Sequence, residues 1–400
     1  MLPRIIILML AVSFSPFARS FDYSLSGFLS LSAGILDEEG YLYADIDDSL
    51  SFNNDTILGG QISGQFTDNF SATIQVIARG YSADDSDNYK PAIDWLYLTY
   101  DITPELRVRA GRMATPYYLV SEYIEIGAAY PWIRPPFEVY DPSAAPLKSF
   151  NGIDAVLRSN WKDWFIISQF IFGQEENSTF LYEINIHRIA GLNLSFSKND
   201  FSIRLAHFVS DVSLSVFLTE TFLNLFRTDN PTPVEAKLFD LVDSKHVKHF
   251  YSSIGVNWDN DTWFVYSEYN QATSEAGFTP TGEGMYLTVG YRIGKFSPYL
   301  TRADFRLLLG SDLKKHILNN SSELPFLGPL FLNPIEDNKR YQRSIALGVR
   351  YDITNAMSLK FEALNATSQR GSVGLFTSKD SSITFAPPIR VYSLALDIVF

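Results

Sequence analysis

The chain has 400 residues, with 32 Lys and Arg against 45 Asp and Glu, a net charge of −13 and no cysteine. So acidic a balance argues against a nucleic-acid partner, which needs a basic face for phosphates. Without cysteine there is no disulfide framework, Fe–S cluster, thiolate zinc site or Cys nucleophile, and 23 Gly and 19 Pro are too ordinary for a collagen-like or broadly disordered chain.

Residues 1–20 read as a cleaved secretory signal. Arg4 supplies the positive start, Ile5 to Val12 an unbroken apolar run, and Pro16 a helix break. Ala18-Arg19-Ser20 then places small residues at −3 and −1 of a cleavage site before Phe21. The apolar run falls well short of the ~20 residues that a membrane helix needs. Residues 21–400 read as one unit.

From there the pattern has period two. Leu58, Ile62 and Phe66 oppose Gly59, Gln61, Ser63 and Gln65, and Phe70, Ala72, Ile74, Val76 and Ala78 oppose Ser71, Thr73, Gln75 and Arg79. Leu287, Val289 and Tyr291 follow the same rule, as do Ile345, Leu347, Val349 and Tyr351, then Met357, Leu359 and Phe361. The last strand is the clearest: Tyr392, Leu394, Leu396, Ile398 and Phe400 alternate with small or charged residues. Strict alternation marks a strand with unlike faces. In a membrane barrel the apolar face meets lipid and the polar face lines the lumen.

The connections sort by length. Tight turns fall at Asp68-Asn69, Asp101 to Pro104, Asn160 to Asp163, Ser197 to Asp200, Asp259 to Asp261, Gly294-Lys295 and Asp352 to Asn355, each rich in turn formers. Between them lie long connections at 36–56, 81–91, 114–149, 174–182, 211–246, 271–283, 303–340 and 365–388. Short and long alternate without a break. That predicts an all-β transmembrane antiparallel barrel of about 16 strands, with short periplasmic turns and long extracellular loops. Aromatics flank the short turns (Phe66 and Phe70, Trp161 and Trp164, Trp258 and Trp263, Tyr291 and Phe296), as a girdle at a lipid–water interface requires. Within 211–246, Val216 to Leu218 and Phe222 to Phe226 suggest a short apolar helix.

Two segments carry a more specific likeness. One is the terminal VYSLALDIVF ending in Phe400; the other is RVRAGRMATPYYLVSEYIEIGAAYPWIRPPFEVY, residues 107–140, which runs from a strand into the third long loop. With the alternating strands they make the chain resemble the Gram-negative outer-membrane porin superfamily, of the 16-stranded trimeric, marine gammaproteobacterial-like type. The resemblance implies a homotrimer in the cell outer membrane, in contact with lipid and lipopolysaccharide, with the third loop folded into the lumen as a constriction. It also implies that Phe400 belongs to the signal read by the barrel assembly machinery, that small solutes and ions pass by diffusion, and that there is neither cofactor nor metal.

Parity then sorts the charges. Arg79, Arg107, Arg109, Arg158, Arg204, Arg292, Arg350 and Lys360 fall on the lumen face, as do Asp94, Asp154, Glu268, Glu362 and Asp397, so the wall has a basic surplus although the chain is acidic. Arg107 and Arg109 lie about 7 Å apart on one face from the strand rise. The third loop offers Glu122, Glu125, Glu138 and Asp141, with Arg134 among them. A basic wall facing an acidic loop predicts a mild anion preference, because charged side chains at a narrow point select ions; the alternative is that the arginines pair with loop carboxylates and fix the loop. Pro131, Pro135 and Pro136 forbid a regular ladder there, and Trp132 and Phe137 suit either a compact flap or a stacking surface for sugars in a substrate-specific channel.

The first loop carries Asp37, Glu38, Glu39, Asp45, Asp47, Asp48 and Asp55 without Lys or Arg; its spacing does not match a dedicated calcium loop. An adhesive barrel and an outer-membrane enzyme remain as rivals. For the enzyme the one His cluster is His246 and His249 near Asp243 and Ser244, with no nucleophile elbow or zinc-helix motif.

Overall fold

The computed structural model describes residues 22–400 apart from 81–87, 141–147, 179–181, 217–229, 276–280, 309–310, 338, 370–371, 373 and 379–386. The expected signal segment and its cleavage site lie outside the described residues. Sixteen strands form the barrel among the described residues. In chain order they begin with β1 (Asp22–Leu36), β2 (Ile57–Thr67), β3 (Phe70–Arg79), β4 (Ala92–Asp101) and β5 (Leu106–Ala114). Next come β6 (Ser149–Trp161), β7 (Trp164–Ser178), β8 (Tyr182–Lys198), β9 (Phe201–Val216), β10 (Val247–Asp259) and β11 (Trp263–Ser274). The last are β12 (Thr281–Tyr291), β13 (Phe296–Leu308), β14 (Arg340–Thr354), β15 (Met357–Ser368) and β16 (Ile389–Val399). Each pairs antiparallel with its sequence neighbours, and β16 returns to β1 in the register Phe28↔Val399, so the barrel is closed. Closure removes the unpaired edge that an open sheet would present to lipid.

Alternation is what folds it this way. On β13 every second residue from Phe296 to Arg306 points outward, while Ser297, Tyr299, Thr301, Ala303 and Phe305 are buried inside. Exposed apolar side chains such as Leu31, Ile62, Leu98, Phe170, Leu287, Leu347 and Leu394 make the outer band. The short-turn rim carries the aromatic pairs: Phe66–Phe70, Trp263–Tyr291 and Phe296–Tyr351 have ring centroids 5.5, 4.6 and 4.7 Å apart. At the tight turn joining β8 and β9, Asn199 takes a φ of 50°, the left-handed conformation that Asn tolerates best among residues with a side chain.

The short turns fall where the alternation places them, but several strands run further into the long connections than expected. β7 continues to Ser178, β9 to Val216, β11 to Ser274 and β13 to Leu308. Above the lipid band the outer face no longer has to be apolar, so alternation ends while the hydrogen-bonded ladder continues.

Helices occupy the long loops: α1 (Phe137–Tyr140), α2 (Pro233–Val242), α3 (Ser311–Asn319) and α4 (Leu327–Asp337). In the fifth loop the described helix is α2, downstream of the apolar stretch singled out in the sequence, most of which lies outside the described residues. A Thr232–Glu235 capping box starts α2. Leu238 and Val242 pack with Leu313, Ile317, Leu324 and Phe331, so the fifth and seventh loops share one apolar cluster. The first and eighth loops are joined by the pairing of Tyr41–Leu42 with Thr377–Ser378 and by a second cluster that includes Tyr43, Ile46 and Phe376.

Candidate functional site: the third loop inside the barrel

Residues 115–140 have no ladder of their own, so their backbone carbonyls need donors from elsewhere. The inner wall supplies them. Asn193 Nδ2 on β8 donates to Pro116 O at 3.0 Å, Ser253 Oγ on β10 to Tyr117 O at 2.7 Å, and Asn270 Nδ2 on β11 to Val139 O at 2.9 Å. Arg350 Nη1 on β14 donates to Ala128 O and Tyr130 O at 2.7 and 3.1 Å. Lys360 Nζ on β15 donates to Gly127 O at 2.7 Å and Trp132 O at 2.6 Å, and lies 2.9 Å from Asp397 Oδ2 on β16. The loop therefore lies within the lumen and touches wall strands on several sides.

Its side chains are fixed as firmly. The buried Trp132 indole donates to Thr288 Oγ1 at 2.9 Å and packs edge-on against Tyr266 and Tyr286. With only 1% of its surface exposed, Trp132 presents no face for a sugar ring; Phe137 packs on Tyr43 of the first loop at 5.4 Å. Tyr117, Tyr118, Tyr140, Phe208 and Tyr251 extend the same buried cluster. Leu119 N–H donates to Glu268 on β11.

The charged residues pair in an order that parity alone does not give. Glu122 takes a bidentate clasp from Arg204 on β9, 2.7 Å on both sides. Desolvation pushes the Glu122 carboxyl up, but the Arg204 charge and its hydrogen bonds outweigh it and hold the group below the usual 4.5. Glu125 pairs with Arg79 on β3, with Lys148 3.7 Å from its other oxygen. Arg134 reaches Asp55 of the first loop at 2.6 Å and Ser393 at 2.9 Å. The buried Glu138 accepts from Gln342 Nε2 at 2.7 Å, and burial pushes its carboxyl up.

Arg107 and Arg109 form their ion pairs with aspartates of the wall rather than with the loop carboxylates, although the Arg109 charge also acts on Glu122. Arg107 pairs with Asp101 across the β4–β5 turn at 2.6 Å, and Arg109 pairs with Asp154 on β6 and lies 5.4 Å over the Tyr97 ring. The physical reason is reach: a register-paired aspartate on the adjacent strand is nearer than a loop across the lumen. Arg292 pairs with Asp259 at 2.6 Å on the periplasmic side. Arg158 makes no ion pair among the described residues, and Asp141 lies outside them.

Asp55, Thr288, Asn270 and Gln342 are anchors that sequence reasoning did not assign, and Asp397, lumen-facing by parity, is an anchor whose partner parity does not give. Parity marks inward positions on the strands, which is the one signal available; it does not say which loop atom each inward side chain meets. The His cluster does not assemble a triad: His246 Nδ1 faces Asp211 Oδ1 at 3.1 Å and stacks on His187, and Ser244 Oγ donates to Val242 O.

No protein-family model and no curated protein sequence matches the chain. Solved structures do. The model is similar to the anion-selective porin from Comamonas acidovorans at TM-score 0.60 and 10% identity, covering 95% of this chain and 100% of that one. It is similar to the outer-membrane channel DcaP of Acinetobacter baumannii at TM-score 0.56 and 12% identity, covering 95% and 97%. For Salmonella typhi OmpF in complex with daunomycin the values are 0.57 and 10%, with 94% and 97% covered. The fold is that of the 16-stranded outer-membrane porins.

Proposed function

We propose that the chain forms a water-filled channel in the outer membrane of a Gram-negative bacterium, through which small hydrophilic solutes and ions diffuse passively. The observation that supports this best is the closed 16-stranded barrel with a charged lumen and a loop pinned inside it. A barrel of this strand number is wide enough to leave an aqueous path. Beside the third loop, Tyr97, Arg107, Arg109 and Tyr123 are partly exposed. The selectivity is mildly anionic, because Asp154 on the wall is covered by Arg109, whereas Arg107 keeps 36% of its side chain exposed against 29% for its partner Asp101. With Trp132 buried, a general diffusion pore is favoured over a sugar-stacking channel. Homotrimer assembly, contact with lipopolysaccharide and insertion by the barrel assembly machinery belong to the same reading; Vibrio cholerae OmpT, a structural neighbour at TM-score 0.50, is described in trimer form.

Planar-bilayer recording under a salt gradient is the test. Wild type is expected to give large conductance steps and a reversal potential on the anion side of zero. Replacing Arg107 and Arg109 by Ala leaves Asp101 and Asp154 uncovered and moves the potential toward cation selectivity. No movement overturns the role given to these arginines, and a silent barrel overturns the channel.

A further inference from the structure

A polar cavity lies on the periplasmic side of the third loop. It measures about 250 Å³ and opens between the 128–131 segment of the loop and the wall residues Asp259, Arg292, Ser297, Arg350 and Asp352. At about 30 Å³ for each water, that is room for about eight waters or one small solute. Asp259 ends β10, Arg292 follows β12, and Ser297, near the start of β13, faces Arg350 of β14 across the ladder. Asp352 stands two residues beyond Arg350, on the same face of its strand.

Four charges meet there and cancel. Arg292 holds Asp259 through two hydrogen bonds of 2.6 and 3.0 Å, and Arg350 Nε donates to Asp352 Oδ1 at 2.7 Å. The Asp352 charge also acts on Arg292, so the two pairs share one field. They do not use every polar atom. Arg350 spends Nε on Asp352 and Nη1 on Ala128 O and Tyr130 O, which leaves its Nη2 without a hydrogen bond among the described residues. Ser297 makes no side-chain hydrogen bond among the described residues either. Asp352 accepts on Oδ1 alone and keeps 41% of its side chain exposed.

Two donors facing each other across the ladder, with an unused acceptor beside them, complement a carboxylate and an ammonium on one small molecule. A lone anion in the cavity would lie against Asp352 and Asp259, and a lone cation against Arg350 and Arg292. Such like-charge approaches discriminate against ions of a single sign. A zwitterion laid head to tail along the Arg350–Asp352 pair meets an opposite charge at each end.

We propose that this cavity binds a small zwitterion of the α-amino acid class, its carboxylate on Arg350 Nη2 and Ser297 Oγ and its ammonium on Asp352 Oδ2. Ala128, Ala129 and Pro131 add small apolar surface, which suits a short side chain. That a permeating solute meets the site rests on the channel reading above; the binding itself does not.

The experiment is saturation-transfer NMR on the full-length protein in detergent micelles, with L-alanine, N-acetyl-L-alanine and L-alaninamide as probes. The last two each lack one of alanine's charges. Alanine is expected to bind at concentrations about tenfold lower than either. D352N is expected to bring alanine down to the level of N-acetylalanine, because the ammonium loses its carboxylate, and D352E to restore the difference. An unchanged alanine preference in D352N overturns the proposal. Equal signals from the three probes on wild type also overturn it, a result that needs no variant to fold. A wild-type preference for N-acetylalanine would assign the cavity to simple anions, and one for alaninamide to cations, and either overturns it. Conductance of the same preparation separates the two readings. A silent barrel that prefers alanine overturns the channel and leaves the site, whereas a conducting barrel without that preference overturns the site and leaves the channel.

Discussion

Lys360 shows how much depends on single side chains. Its ammonium is fully buried, lies 5.0 Å over the Tyr130 ring, and spends its three donors on Gly127 O, Trp132 O and Asp397. K360M would strand a buried carboxylate and two carbonyls, and removing one partner of a buried pair costs about 3–5 kcal/mol. The expected result is a lower unfolding temperature of the heat-modifiable band and noisier single-channel current, both scored against wild type. Glu122 sets the acid limit of the same loop. A carboxyl whose folded value lies below its ordinary 4.5 stabilises at pH above the unfolded value, and that stability is lost as pH falls through the folded value. Channel current should therefore be steady from neutral pH down to 4.5 and become noisy only below it. E122Q should be noisy at neutral pH and insensitive to acid.

Among the elements, β16 and the third loop carry the most. β16 closes the barrel, and the chain end finishes the seam: Gly27 N–H donates to Phe400 O at 2.7 Å and Phe400 N–H to Gly27 O at 2.9 Å. The Phe400 ring, 71% exposed, lies over Gly27, where a Cβ would collide with it. Deleting Phe400 removes both hydrogen bonds and an interfacial aromatic, and is expected to reduce the yield of folded, heat-modifiable protein; full wild-type yield would count against a role in assembly. Pro131, Pro135 and Pro136 leave the third loop without a ladder, which is why it depends on the wall for its hydrogen bonds. W132A should open a cavity between β11, β12 and β13 and cost about 3–5 kcal/mol of local stability, seen as new protease cleavage within the loop.

At the scale of the whole molecule, strand number, turn positions and the two faces of each strand were legible in the sequence, because alternation and turn chemistry are local and lipid on one side enforces them. The outward residues of β16 and the tight turn at Asn199 are cases in point. The inward-pointing Arg204, Arg350 and Lys360 were legible as positions but not as roles. Whether an inward arginine meets a permeant ion, a strand aspartate or a loop carbonyl depends on which distant segment arrives opposite it. Asp55 in the acidic first loop reaches Arg134, 79 residues away, and Gln342 reaches Glu138 across 204 residues. No periodic signal records such pairings. The sequence by itself determined a closed antiparallel barrel with lipid outside and polar residues within, since neighbouring residues suffice to set an alternating strand. Only the tertiary structure decided that half of the basic wall, Arg79, Arg204, Arg350 and Lys360, serves to hold a proline-rich loop in the lumen, because loop carbonyls and carboxylates take whatever donors the closed barrel brings within reach.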